Sequence, residues 1–229
     1  MADIAQIAYL ASIWALPVLL AITLHEAAHA YAALWLGDDL AARFGRTSLN
    51  PLRHVDPFGT VVLPALLLVM NAGFIIGYAK PVPVFFARLR PERLGGALVA
   101  AAGPAANILQ ALIAAILLHI APAAPGALGS WFEANLNNAL IVNALLAAFN
   151  LLPVPPLDGG RILLAALPTG VASWFAPFER VGVLIVLGLA LLVPMLAAEF
   201  GYAFNPIGDW ARGGANLILD IVLNLTGWR

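Results

Sequence analysis

The chain contains no cysteine. That excludes a disulfide framework and any thiolate-held metal, so a bound metal must be held by histidines and carboxylates. Charge is scarce as well. Charged residues are 10% of the 229 and hydrophobic ones 62%, with a mean hydropathy of +0.94, whereas a soluble domain carries about 25% charged residues. Too few polar side chains remain to clothe a water-facing surface, and the composition reads as an integral membrane protein. There is no run of Lys and Arg with interleaved aromatics, and the net charge is −1; nucleic acid is excluded as a partner on that pattern. Residues 1–24 lack the positive start of a secretory signal, and their apolar run continues past any cleavage point, so the first helix is expected to be retained.

What the sequence has in quantity is long apolar runs. A hydrocarbon core of about 30 Å needs roughly 20 apolar residues in a helix. Runs at 6–36, 58–77, 95–121, 132–152 and 180–198 meet that length, and a weaker one at 205–226 carries Asp209, Arg212 and Asp220. The expected fold class is therefore an all-α polytopic bundle of five to six membrane-embedded helices in one domain over 1–229. Basic residues constrain its topology. Arg43, Arg46 and Arg53 follow the first run, and Lys80, Arg88, Arg90 and Arg93 follow the second. A spanning 58–77 segment would set these two basic loops on opposite sides, against the positive-inside tendency. Pro64, Asn71, Gly73 and Gly77 suit a re-entrant hairpin instead, which keeps both loops cytoplasmic.

The stretch LLAITLHEAAHAYAALWL places His25, Glu26 and His29 inside an apolar helix. Ionisable side chains at bilayer depth cost about 2.5–3.5 kcal/mol each on insertion scales, so three together need a function. In H-E-x-x-H the histidines at i and i+4 share a helix face and can bind one zinc ion, with the glutamate beside it as a base. A chance match, or histidines hydrogen-bonded within a bundle, is the plainer alternative. A catalytic zinc commonly has three protein ligands. The candidates for the third are His54, Asp56, Asp158 and, least, His119. Asp158 lies in FNLLPVPPLDGGRIL, where Pro153, Pro155 and Pro156 end a helix and Gly159 and Gly160 permit close backbone approach. Its alternative role is to cap a short helix starting near Gly160.

HEAAH in the first run, GPAAN at 103–107 and FNLLPVPPLDGGR at 149–161 together resemble the site-2 protease family of intramembrane zinc metalloproteases. NPLRHVDPFGT at 50–60 and GYAKPVPV at 77–84 resemble its compact bacterial and archaeal branch. The resemblance implies one Zn²⁺ per chain held by His25, His29 and Asp158, with Glu26 as catalytic base. It places Asn150 near the metal to orient substrate or the oxyanion, and Asn107 in the lining of the site. For both asparagines the alternative is interhelical hydrogen bonding. His54 and Asp56 are accessory candidates, for which a water-facing loop position is the plain reading. Better-known relatives carry PDZ or CBS modules; here the 122–131 connection is too short for one.

The implied function is hydrolysis of peptide bonds in membrane-spanning segments of membrane-anchored protein substrates, within the lipid bilayer of a prokaryotic plasma membrane and with the site toward the cytoplasm. The alternative is a non-catalytic metal-binding or transport protein using the same His/His/Asp site. Because a helical substrate hides its peptide bonds in hydrogen bonds, it must unwind first, and extended backbone at 153–157 or 80–84 is a candidate edge for the unwound strand.

Overall fold

The computed structural model describes residues 4–62, 66, 80–121, 125–175 and 178–228. Among these the chain is an all-α membrane protein without strands. Helix α1 (Ile4–Trp35) is followed by the short α2 (Leu40–Arg43), then α3 (Glu92–Leu118) and α4 (Gly126–Asn150). Next come α5 (Asp158–Ala166) and α6 (Thr169–Phe175), then α7 (Phe178–Leu187), which runs through one π-helical turn into α8 (Val193–Glu199); α9 (Pro206–Leu225) closes the order. Among the described residues, three stretches are long and apolar enough to cross a membrane: Ile4–Trp35, Glu92–Leu118 and Val181–Glu199.

The run expected at 132–152 forms as α4 but is not among those three. Asn135, Asn137, Asn138, Asn143 and Asn150 dilute its hydropathy. Its place explains two of them: α4 packs against α1, α3 and α9, and Asn138 donates to Ile13 O of α1 while Asn143 accepts from Asn107 of α3, whereas Asn135, Asn137 and Asn150 donate to carbonyls of α4 itself. The weaker 205–226 run is also a helix, α9, and it packs on α4. Trp210 Nε1–H donates to the Ala148 carbonyl at 2.9 Å, and Gly214 lies so close to Ala148 that an added Cβ would meet its methyl at 2.9 Å. Most of the expected re-entrant segment 58–77 lies outside the described residues, including Pro64, Asn71, Gly73 and Gly77; Pro57–Val62 forms a π-helical turn.

The centre of the bundle is built from small residues. Ala21, Ala27, Ala30 and Ala33 of α1, Ala100, Gly103 and Ala111 of α3, and Ala144, Ala147 and Ala148 of α4 are buried. Leu16, Leu20, Ile113, Ile116 and Leu145 point outward. In lipid, apolar burial does not drive helices together, so close backbone approach through small side chains does that work. This packing brings α1, α3 and α4 near enough for short polar side chains to bridge them.

Beyond Trp35 the two basic loops lie against each other at one end of the bundle. Arg90 N–H donates to Leu36 O at 3.0 Å and Lys80 N–H to His54 O at 2.9 Å. Asp38, fully buried, accepts from Leu40 N–H at 3.1 Å and from Phe85 N–H at 2.6 Å, tying one loop to the other. On the surface Asp39 is paired with Arg43 and with Arg88, and the Arg43 guanidinium holds its carboxyl below the usual carboxylate range. Contact between the loops agrees with the expectation that both share one compartment.

Candidate metal centre

His25 and His29 lie one helical turn apart on α1 and face α3. Each imidazole is fixed from behind. His29 Nδ1 is 2.7 Å from the Val99 carbonyl, which can only accept, so Nδ1 carries the proton. His25 Nδ1 is 2.6 Å from Asn107 Oδ1. The orientation of that amide follows from its other bonds, because its NH₂ donates to Ala21 O at 3.2 Å and to Asn143 Oδ1 at 2.7 Å. Asn143 in turn donates to Ala139 O at 2.9 Å. Both Nδ1 atoms therefore donate, which leaves both Nε2 lone pairs facing the site.

Those lone pairs do not face solvent. The two Nε2 atoms are 3.0 Å apart, and Asp158 Oδ2 is 3.4 Å from each. All three residues are buried, and Oδ2 has no hydrogen-bond partner among the described residues. Three electron-rich atoms at such separations repel one another unless a cation sits among them. Zinc bonds of about 2.0–2.1 Å at tetrahedral angles would set donor atoms roughly 3.3 Å apart, close to the observed triangle. The donor set fits a zinc ion.

Asp158 reaches this position because α5 begins on it. The turn after α4 is shaped by Pro153, Pro155 and Pro156, and α5 packs back on that turn through Gly159 and Gly160. A Cβ on Gly159 would meet Leu152 O at 2.6 Å, and one on Gly160 would meet Val154 C at 2.5 Å, so neither position accepts a side chain without shifting backbone. The capping alternative does not apply: Leu157 is the N-cap residue and no side-chain cap bond forms.

Other expected residues stand elsewhere. Glu26, half-buried, has no hydrogen bond or ion pair among the described residues, leaving its carboxylate free beside the two histidines. Asn150 ends α4, where its Nδ2 donates to Leu146 O at 3.0 Å. Asn107 touches the back of the His25 ring rather than the donor triangle. His54 and Asp56 are outside that group. His54 is fully buried, with Nε2 2.7 Å from Ser48 O and its carbonyl accepting from Lys80 N–H at 2.9 Å, so its expected water-facing position is corrected: the ring turns into its own loop. Asp56 accepts from Gly59 N–H at 2.7 Å. His119 stacks on Trp228 with ring centroids 4.4 Å apart and bonds Thr226 O, holding the end of α3 to the end of α9.

Val99, Gly103 and Asn143 belong to the site without having been singled out. Gly103 turns its bare Cα to the histidines; an added Cβ would lie 2.6 Å from His25 Cε1 and closer still to His29 Nε2. For Asn107→Leu, zinc affinity is expected to fall about 10- to 100-fold, the usual effect of losing an outer hydrogen-bond partner of a ligating histidine. Chelator competition against the purified chain measures it, and unchanged affinity would remove Asn107 from the site.

A buried His/His/Asp donor set on membrane-embedded helices, with a free carboxylate one residue from a ligand, defines a zinc centre of metalloprotease type. Residues 123–195 match the family model described as Peptidase family M50. A Bacillus subtilis (strain 168) protein named "Putative zinc metalloprotease YwhC" is 38% identical over 192 residues, covering 79% of this chain and 84% of the relative. "Putative zinc metalloprotease Rip2" of Mycolicibacterium smegmatis is 32% identical over 80% of this chain and 67% of its own length. "Putative zinc metalloprotease MJ0611" of Methanocaldococcus jannaschii is 38% identical over 43% of this chain and 47% of its own length. No solved structure matches significantly. The chain belongs to peptidase family M50, the site-2 protease family, and its cofactor is zinc.

Proposed function

We propose that the chain is an active intramembrane metalloprotease, formed by one domain over 1–229, that hydrolyses peptide bonds in the membrane-spanning segments of protein substrates. The observation that carries this reading is the convergence of His25 Nε2, His29 Nε2 and Asp158 Oδ2, with the adjacent Glu26 carboxylate hydrogen-bonded to no group among the described residues. Bound zinc supplies Lewis acidity, which makes water a nucleophile near neutral pH.

The chain's own residues do the rest. His25, His29 and Asp158 hold the ion, and Asn107 and the Val99 carbonyl keep the two imidazoles in the tautomer that binds it. Glu26 takes a proton from the attacking water on a carboxylate oxygen and returns it to the leaving amide nitrogen. Asn150 spends one amide N–H on Leu146 O and keeps a second, which suits it to stabilise the developing oxyanion.

Depth and side follow from α1. His25 lies ten residues, or roughly 15 Å, before the helix end at Trp35, and the adjoining basic loops favour the cytoplasmic face as the source of water. Residues 80–84 belong to no helix, and they suit an unwound substrate strand better than 153–157, where Val154 and Leu157 N–H groups are already bonded within the turn.

The test is reconstitution of the purified chain in vesicles with a single-pass substrate protein, scored by the mass of the products. Zinc removal by a chelator is expected to abolish cleavage, and zinc addition to restore it. Cleavage that persists after zinc has been stripped to background overturns the reading.

A further inference from the structure

The loop end of the bundle contains a second built feature. A cavity of about 640 Å³ is lined by Phe44, Arg46, Asn50, Leu52, Arg53, Lys80, Pro81 and Pro83. Three of its lining side chains are cationic. None of them pairs with a carboxylate among the described residues, although Asp39 and Asp209 nearby in the chain order or beyond take Arg43, Arg88 and Arg212. Arg46 is only 6% exposed, and one of its Nη1 N–H groups is already given to the Arg53 carbonyl. A buried guanidinium without a counter-charge is costly, so the cavity is electrostatically incomplete without an anion.

The local backbone builds this arrangement. Gly45 adopts the left-handed conformation, φ +68°, and turns Arg46 inward. The Arg53 guanidinium lies over it, so that a Cβ at Gly45 would stand 2.6 Å from Arg53 Nη1. Lys80 is brought to the same cavity by the bond from its N–H to His54 O.

Position identifies the anion's carrier. Trp35, at the end of α1, is 83% exposed, as is common for Trp at a membrane–water interface. The cavity is lined by residues of the loops that follow that end of α1, Phe44 to Arg53 and Lys80 to Pro83. Its rim carries Phe44 and Leu52, 65% and 81% exposed, which no water-facing loop would favour but which suit glycerol and the first methylenes of a lipid. We infer that Arg46, Arg53 and Lys80 bind the phosphate of an anionic phospholipid headgroup, with Phe44 and Leu52 against its apolar part. Zwitterionic phosphatidylcholine carries the same phosphate, but its choline cation would be repelled by the three charges.

The test uses the full chain in detergent with equal amounts of phosphatidylglycerol and phosphatidylcholine, reading retained lipid by native mass spectrometry. Wild type is expected to retain phosphatidylglycerol selectively. The double variant Arg53→Gln/Lys80→Gln is expected to bind it about thirtyfold more weakly, from the usual contribution of two cations near anionic lipid. Both side chains are exposed, and unchanged zinc content shows that the variant is folded. Arg46→Gln is a second variant, read the same way. Equal retention of the two lipids, or wild-type retention by the folded double variant, overturns the inference. So does thermal stabilisation by inorganic phosphate alone as large as that by phosphatidylglycerol, which would assign the cavity to a free anion.

Discussion

Glu26→Gln is expected to keep one zinc per chain and to lose peptide-bond cleavage by about 10²- to 10⁴-fold, the range that a positioned general base contributes. Glutamine has nearly the same volume as glutamate and still sits between the two histidines on α1, so neither α1 packing nor the donor triangle changes. What disappears is a group able to accept a proton. The unengaged state of the Glu26 carboxylate matters here, because the substitution breaks no ion pair or hydrogen bond among the described residues. The two measurements belong together: metal content by elemental analysis, and cleavage of a reconstituted substrate. A metal carrier using the same three ligands needs no base, and on that reading the variant would behave like wild type. Full cleavage by Glu26→Gln would sink the proposed mechanism.

Asp158→Asn is expected to have the opposite signature, with zinc lost and the helices retained. The neutral amide is a poorer donor than the carboxylate, and it no longer offsets the charge of a cation held in a buried site. Zinc content after dialysis against a weak chelator should fall from one per chain toward zero, an effect beyond the 10- to 100-fold expected of an outer-shell partner such as Asn107. Asparagine is also as good a helix N-cap as aspartate. A capping role would therefore survive the exchange, whereas a ligand role would not. Retention of zinc by the variant, with unchanged helicity, would move the third ligand elsewhere.

The four residues proposed to carry the chemistry are legible in the sequence for a common reason. Each is costly in an apolar setting, and H-E-x-x-H has a spacing that only a helix turns into geometry. Asp158 stands out because prolines and glycines mark irregular backbone around it. The helices are legible from length and hydropathy, with α4 as the instructive case: its asparagines lower its hydropathy, and two of them, Asn138 and Asn143, bond neighbouring helices. Asn143 could have been found there, since it lies seven residues, or about two turns, before Asn150 on the same helix. Val99 could not, because it acts through a backbone carbonyl that leaves no mark in sequence. Gly103 is masked by the many small residues that merely let helices approach. His54 misleads because a loop histidine ordinarily meets water, and here its ring turns into its own loop to reach the Ser48 carbonyl.

The distance along the chain between the halves of the zinc site has a consequence for biogenesis. His25 and His29 are made early, whereas Asp158 follows 129 residues after His29, on the order of ten seconds at ordinary rates of synthesis. For the first half of that interval α1 carries two histidines and a glutamate without the Val99 carbonyl and Asn107, and for all of it without the third ligand. The nascent chain cannot assemble the complete centre before residue 158 is made, so the metal site closes late in assembly and does not serve as its nucleus.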